Sequence, residues 1–306
     1  MNKKIFSHDN FKDFESLFSK DSNQIIYETL VSDTLTPVGA MIKLGEKEDY
    51  SFLLESVEGG KTRGRFSVIG IEPDLIWRCK NKIAEINNNP LKKPKSFLKE
   101  TFPPIISLRN LLKENFMETN PLPPMAAGLF GYFGYDMIKH FEKIPESKID
   151  SLNLYDSLLI RPSLIAIFDR LKDTITITVQ IRKKEWNCPL NAWKHAKEKI
   201  SKVKNKLGRE LKHDPISINQ LPFPKPKSNI SKSYFFKIVK KAKEYISAGD
   251  IFQIVLSIRF SIPFLNNSFS LYRSLRRLNP SPFLFHFSLG DFSIIGSSPE
   301  ILVRLR

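Results

Sequence analysis

Cysteine is almost missing: Cys79 and Cys188 are the only two in 306 residues, and they lie far apart. That scarcity excludes a disulfide framework and a zinc site built from cysteine pairs. Histidine is nearly as scarce. His8, His140, His195, His213 and His286 are scattered, with no H-x-x-x-H or H-E-x-x-H spacing, so the sequence offers no motif for a metal held by histidines. Long apolar runs are absent too. No stretch approaches the ~18 residues of a membrane-spanning helix, and MNKKIFSHDNFKDF lacks the apolar centre of a secretory signal. The expectation is a soluble protein that stays in the cytoplasm and has no membrane partner.

Hydrophobic residues make up 41% of the chain, enough for a substantial core, and 48 Lys and Arg against 32 Asp and Glu leave a net charge of +16. A basic chain raises nucleic acid as a partner. The densest runs, KNKIAEINNNPLKKPK and KHAKEKISKVKNKLGRELKHD, do not interleave lysine with aromatics that could stack on bases. The second run lies on an expected helix whose apolar stripe is Trp193, Ala196, Ile200, Val203 and Leu207, so its lysines read as a solvated face. No nucleic-acid partner is expected.

Leu53 to Gly70 reads LLESVEGGKTRGRFSVIG, and its GGKT resembles the end of a phosphate loop. Such a loop needs a glycine five positions before Gly60, where this chain has Glu55, whose carboxylate would repel phosphate. GGKTRGR is therefore expected to be a turn between two strands. TITITVQI, Thr174 to Ile181, alternates as a half-buried strand should, and LIAIFDRLKDT supplies its hairpin partner. In AAGLFGYFGYD, Gly128, Gly131 and Gly134 sit among aromatics at a spacing suited to close backbone approach.

The clearest break is LPFPKPKSN, residues 221 to 229, whose prolines prevent a regular element. It divides the chain into an expected N-terminal domain, 1–220, and the start of a second domain, 230–306. After the break, Ser231 or Ser233 is expected to cap a helix with stripe Phe235, Val239, Ala242 and Ile246, ended by Gly249. IFQIVLSIRF then alternates as a strand, with Gln253, Ser257 and Arg259 on its more polar face. The closing stretch reads as a strand pair about the turn at Gly290 and Asp291, with extended steps at Ser281-Pro282 and Ser298-Pro299. The last residues, ILVRLR, end where a new strand is expected to begin, as in a chain cut from a longer protein.

Four segments in order, LLESVEGGKTRGRFSVIG, GLFGYFGYD, AGDIFQIVLSIRF and NPSPFLFHF with its follow-on IIGSSPEILVR, resemble the large subunit of anthranilate synthase, component I. Phe252, Val255, Leu256 and Ser257 in GDIFQIVLS favour that family over the large subunit of aminodeoxychorismate synthase, which more often has a GDxYQVNLT pattern. The folate-pathway relative remains the alternative, together with a non-catalytic tryptophan-binding fragment. The resemblance implies an α+β fold, antiparallel sheets packed face to face with outer helices, whose second domain is incomplete.

By the same resemblance, the whole enzyme converts chorismate and ammonia to anthranilate and pyruvate with Mg²⁺, and a glutamine amidotransferase subunit, component II, supplies the ammonia. The LLES and NPSP segments imply a tryptophan-binding inhibitory pocket made of Glu55, Ser56, Pro282, Phe283 and Leu284. Phe283 and Leu284 stand where Tyr and Met are common, which removes one polar handle. The family's catalytic and Mg²⁺-binding motifs lie C-terminal to SPEILVR, so no catalytic residue and no metal ligand is assigned within residues 1–306, and Gln253, Ser257 and Arg259 are candidates only for supporting roles.

Overall fold

The computed structural model describes residues 7–8, 10–20, 22–46, 48–56, 64–144, 150, 152–211, 224–301 and 303. Among the described residues, thirteen strands follow in chain order: β1 (Ser7–His8), β2 (Gln24–Val31), β3 (Tyr50–Glu55), β4 (Phe66–Lys80), β5 (Ile83–Asn87), β6 (Leu98–Lys99), β7 (Phe130–Phe133), β8 (Ser157–Asp169), β9 (Thr174–Ile181), β10 (Lys227–Ser228), β11 (Phe260–Ser261), β12 (Phe283–Leu289) and β13 (Ser293–Ser298). Six α-helices accompany them: α1 (Phe11–Phe18), α2 (Pro37–Leu44), α3 (Pro104–Glu114), α4 (Pro189–Leu207), α5 (Lys232–Ala248) and α6 (Ser268–Leu278). This is the expected α+β class.

The chain divides into two compact units, one of 1–211 with 268–306 and one of 212–267. Residues after 268 thus group with the N-terminal part, and the Pro-rich stretch falls inside the smaller unit.

In the larger unit, eleven strands form one hydrogen-bonded sheet ordered β1-β2-β9-β8-β4-β3-β12-β13, with β5 attached to β4, β6 to β5 and β7 to β8. The pairs β2·β9, β8·β9, β4·β8, β3·β4 and β3·β12 are antiparallel, and β1 meets β2 in parallel. Because side chains alternate across a strand, the registers sort residues onto two faces. Ile26, Ile177, Leu164, Ile69, Leu53 and Leu284 join the core that also contains α1, α2, α4 and α6 residues, while Ile25, Ile165, Phe52 and Phe287 belong to a second cluster.

Helix α4 shows why the helical layer forms: Ala192, Ala196, Ile200, Val203 and Leu207 recur every three or four residues and are its buried stripe, while Lys194, Lys202 and Lys204 are exposed and Lys197, Lys199 and Lys206 half-buried. Pro189 opens the helix, where its missing N–H costs nothing. The hairpin β8–β9 forms over the expected residues, but its polar face is not wet throughout: Thr178 and Gln180 are buried, with Thr178 Oγ1 (3.3 Å) and Gln180 Nε2 (2.8 Å) donating to the Ala126 carbonyl.

Among the three glycines of GLFGYFGYD, a Cβ on Gly131 would fall 2.0 Å from the Leu158 carbonyl oxygen, and one on Gly134 would fall 2.9 Å from that of Asp156. Close strand approach demands glycine at both.

In the smaller unit, Ser231 caps α5 by accepting from the Tyr234 N–H (3.2 Å), and Gly249 ends it in the left-handed region at φ 79°. The next segment corrects an expectation. Residues 251–259 form no strand; only Phe260–Ser261 pairs, with Lys227–Ser228, and Phe252 is fully exposed. Alternation alone does not make a strand, because its backbone groups need a neighbouring ladder, which only the last residues find.

Candidate functional site

The segments LLES and NPSPFLF meet as strands. β3 and β12 run antiparallel with Glu55 opposite Leu284, Leu53 opposite His286 and Tyr50 opposite Leu289. Glu55 and Leu284 are therefore cross-strand neighbours, both buried, on the face covered by α6. Alternation turns Phe283 to the opposite face, where it is half-buried opposite Ser298 of β13. Ser56 follows the last residue of β3 and is half-buried, and Pro282 precedes β12 and is buried. A ligand touching all five residues has to sit at the end of the β3–β12 pair, reaching both faces.

Glu55 is the charged centre of this junction. Its side chain has no solvent exposure, and an unpaired carboxylate at such a place would be prohibitive. Tyr272 Oη donates to Oε2 at 2.6 Å, Arg276 donates through Nε to Oε2 at 2.7 Å and through Nη2 to Oε1 at 3.1 Å, and Arg170 Nη2 donates to Oε1 at 3.3 Å. Tyr272 and Arg276 are one helical turn apart on α6, so one face of the helix delivers both. Arg170 follows β8 directly and also reaches Ser67 Oγ at 3.4 Å. Burial, reinforced by the Glu55 charge, pushes the Tyr272 hydroxyl far above its ordinary range, so it remains a donor.

The Glu55 carboxylate is thus saturated by neighbours, and the cluster of Glu55, Arg170 and Arg276 carries one more positive charge than negative. None of these three partners was expected from sequence. The i,i+4 spacing of Tyr272 and Arg276 is a weak signal, and nothing local links it to a strand 217 positions away.

Two further contacts stiffen the same end. Ser281 Oγ donates to the Ser298 carbonyl at 2.5 Å, and Ser297 Oγ to that of Asn279 at 2.6 Å, tying both Ser-Pro regions together. One register step along, His286 lies buried against Phe269 and Tyr272 with Nε2 2.9 Å from Ser268 Oγ, and burial pushes its pKa down to about 4.

Residues 57–63, including GGKT, lie outside the described residues; the flanking Glu55 and Ser67 are antiparallel partners. Gln253, Ser257 and Arg259 lie in the irregular, exposed segment of the smaller unit, where the Arg259 N–H donates to Asn229 Oδ1 at 2.9 Å.

Residues 51–306 match the profile of a family described as chorismate binding enzyme. The chain belongs to the chorismate binding enzyme family. It is 42% identical over 299 residues to anthranilate synthase component 1 of Cereibacter sphaeroides, covering 97% of this chain and 59% of that protein. It is 35% identical to the protein of the same name from Aquifex aeolicus, over 92% of this chain and 56% of the relative. A crystal structure of anthranilate synthase component I from Streptococcus pneumoniae TIGR4 superposes with a TM-score of 0.63 at 25% identity, covering 89% of this chain and 57% of that one. The chain therefore spans somewhat more than half the length of the chorismate binding enzymes it matches.

The expected Mg²⁺ prefers a shell of oxygen ligands. Among the described residues, the His, Cys, Asp and Glu groups whose ligand atoms gather within 4.8 Å are Cys79, His140 and Asp156. A thiol, an imidazole and one carboxylate do not fit Mg²⁺. No helix among the described residues is long and apolar enough to cross a membrane.

Proposed function

We propose that the whole protein is the large subunit of anthranilate synthase, joining ammonia to chorismate and releasing pyruvate to leave anthranilate. What supports this reading is the 42% identity to an anthranilate synthase component 1 across 97% of the chain. Ammonia comes from glutamine through a glutamine amidotransferase subunit. Mg²⁺, when bound, clamps a substrate carboxylate; its ligands are expected beyond Arg306, and no step is assigned to it here. The domain division retains its proposed roles, a tryptophan-responsive N-terminal domain and the start of a chorismate-binding domain after the Pro-rich stretch. The full-length protein supplied with chorismate, Mg²⁺ and ammonia is expected to produce anthranilate. Formation of the p-aminobenzoate precursor in its place would move the protein to the folate-pathway relative.

The regulatory part of the proposal places L-tryptophan at the end of the β3–β12 pair, and the Glu55–Leu284 pairing is the observation that carries it. Pro282, Phe283 and Leu284 supply apolar surface for an indole. Glu55, already engaged by Tyr272, Arg276 and Arg170, orders the junction, and its surplus guanidinium charge favours the ligand carboxylate. Ser56 Oγ accepts from the ammonium. Ser56→Ala is expected to weaken tryptophan binding, read by calorimetry, by about 1–3 kcal/mol. An unchanged affinity removes Ser56 from the pocket. Tryptophan binding by a full-length protein with no synthase activity would instead favour a purely regulatory module.

A further inference from the structure

Cys79, His140 and Asp156 come from three places in the chain and converge beside β4. Cys79 is in β4, near its end; His140 closes the 3-10 turn Tyr135–His140; Asp156 immediately precedes β8. Cys79 Sγ lies 3.7 Å from His140 Nε2, and the three ligand atoms all lie within 4.8 Å of one another. Bond lengths to tetrahedral zinc place a thiolate sulfur and an imidazole nitrogen about 3.6 Å apart, so the observed pair already stands near ligating separation.

The frame around the ligands is rigid. The Asp156 N–H donates to the Cys79 carbonyl at 2.8 Å, and the Gly134 N–H donates to the Asp156 carbonyl at 2.7 Å, so backbone bonds hold Asp156 against both other elements. His140 lines an open groove of ≈ 470 Å³ with Lys82, Lys99 and Lys139, and Cys79 is fully buried.

We propose that Cys79, His140 and Asp156 form a binding site for a single zinc-like transition-metal ion, with water in the fourth position. The donor set decides the metal class: thiolate and imidazole are ligands for borderline-soft ions and are poor ligands for Mg²⁺ or Ca²⁺. Binding replaces the thiol proton by the metal, and that proton passes to the buffer. A nucleophilic Cys-His-Asp arrangement is the competing chemistry, but it requires a thiol that a substrate can reach, and Cys79 is fully buried. A bound ion ties the end of β4, the 3-10 turn and the start of β8 together. The site is independent of the chorismate reading.

The test is metal binding by the full-length protein, apo-prepared by chelation and given Zn²⁺ or Co²⁺ alone. The expected result is one tightly held Zn²⁺ per chain after dialysis, and with Co²⁺ the near-ultraviolet absorption of a thiolate-to-metal charge transfer. Cys79→Ser is expected to abolish the absorption, His140→Ala to weaken binding at least tenfold, and Cys188→Ser to change neither. Should Cys79→Ser fail to fold, His140→Ala, whose side chain is only half-buried, decides alone. Absence of the charge-transfer band, or metal retention equal in His140→Ala and Cys188→Ser, overturns the site.

Discussion

Glu55 has zero side-chain exposure and is held by a phenol and two guanidinium groups, whose side chains are 28% exposed for Arg276 and 37% for Arg170. Glu55→Gln keeps the shape and removes the charge, leaving both arginines facing an amide. Removing one partner of a buried pair costs about 3–5 kcal/mol, and the partial exposure of the arginines puts the expected loss at about 2 kcal/mol, measured as a shift in the denaturation midpoint at constant slope. No shift would mean that the arginines are satisfied elsewhere. His286 makes a pH prediction. Its folded pKa lies at about 4, below the ordinary 6.5, so between those values the unfolded chain binds more protons than the folded one. Stability is therefore expected to fall as pH drops from 6.5 towards 4. His286→Gln is expected to flatten that slope, and an equal slope in both proteins would clear His286 of the effect.

Elements set by short-range rules were readable. Helix α5 could be drawn from Ser231 to Gly249 because a cap and a left-handed stop are local chemistry, and the β12–β13 hairpin because Gly290-Asp291 is a turn signal whose glycine takes φ 77°. The segment 251–259 was not readable, since its pattern fits a strand but the strand depends on a neighbour. The glycines separate the two kinds of constraint. Gly249→Ala puts a Cβ in open space at positive φ and is expected to cost about 1 kcal/mol. Gly131→Ala drives a Cβ to 2.0 Å from a backbone oxygen of β8, which no rotamer change relieves, and is expected to cost far more or to prevent folding. Thermal denaturation of the pair checks the order, and equal costs would refute the close-approach argument.

At the scale of the molecule, the chain covers nearly its full length in similarity to anthranilate synthase component 1 while spanning 59% of that relative. The 306-residue chain by itself is expected to form no anthranilate from chorismate, ammonia and Mg²⁺, because no catalytic or Mg²⁺-binding group of the proposed reaction is assigned within it. Anthranilate production by that chain would reverse the assignment. The β-sheet explains why the two proposed halves of a tryptophan pocket are separated in sequence: β12 inserts beside β3 through a ladder of backbone hydrogen bonds, an association that no local window contains.

The sequence by itself determined helices α4 and α5 and the tight turns, because periodicity, capping and turn chemistry act within a few residues, while the class of fold and the pairing of Leu53–Ser56 with Pro282–Leu284 came from its resemblance to a known family. Only the tertiary structure decided that Glu55 is a saturated buried anion, that Phe283 and Leu284 face opposite ways, and that Cys79, His140 and Asp156 meet. The reason is physical. Strand register and helix docking bring together groups separated by tens to hundreds of residues, and the charge, burial and ligand geometry of a site exist only once those groups share the same space.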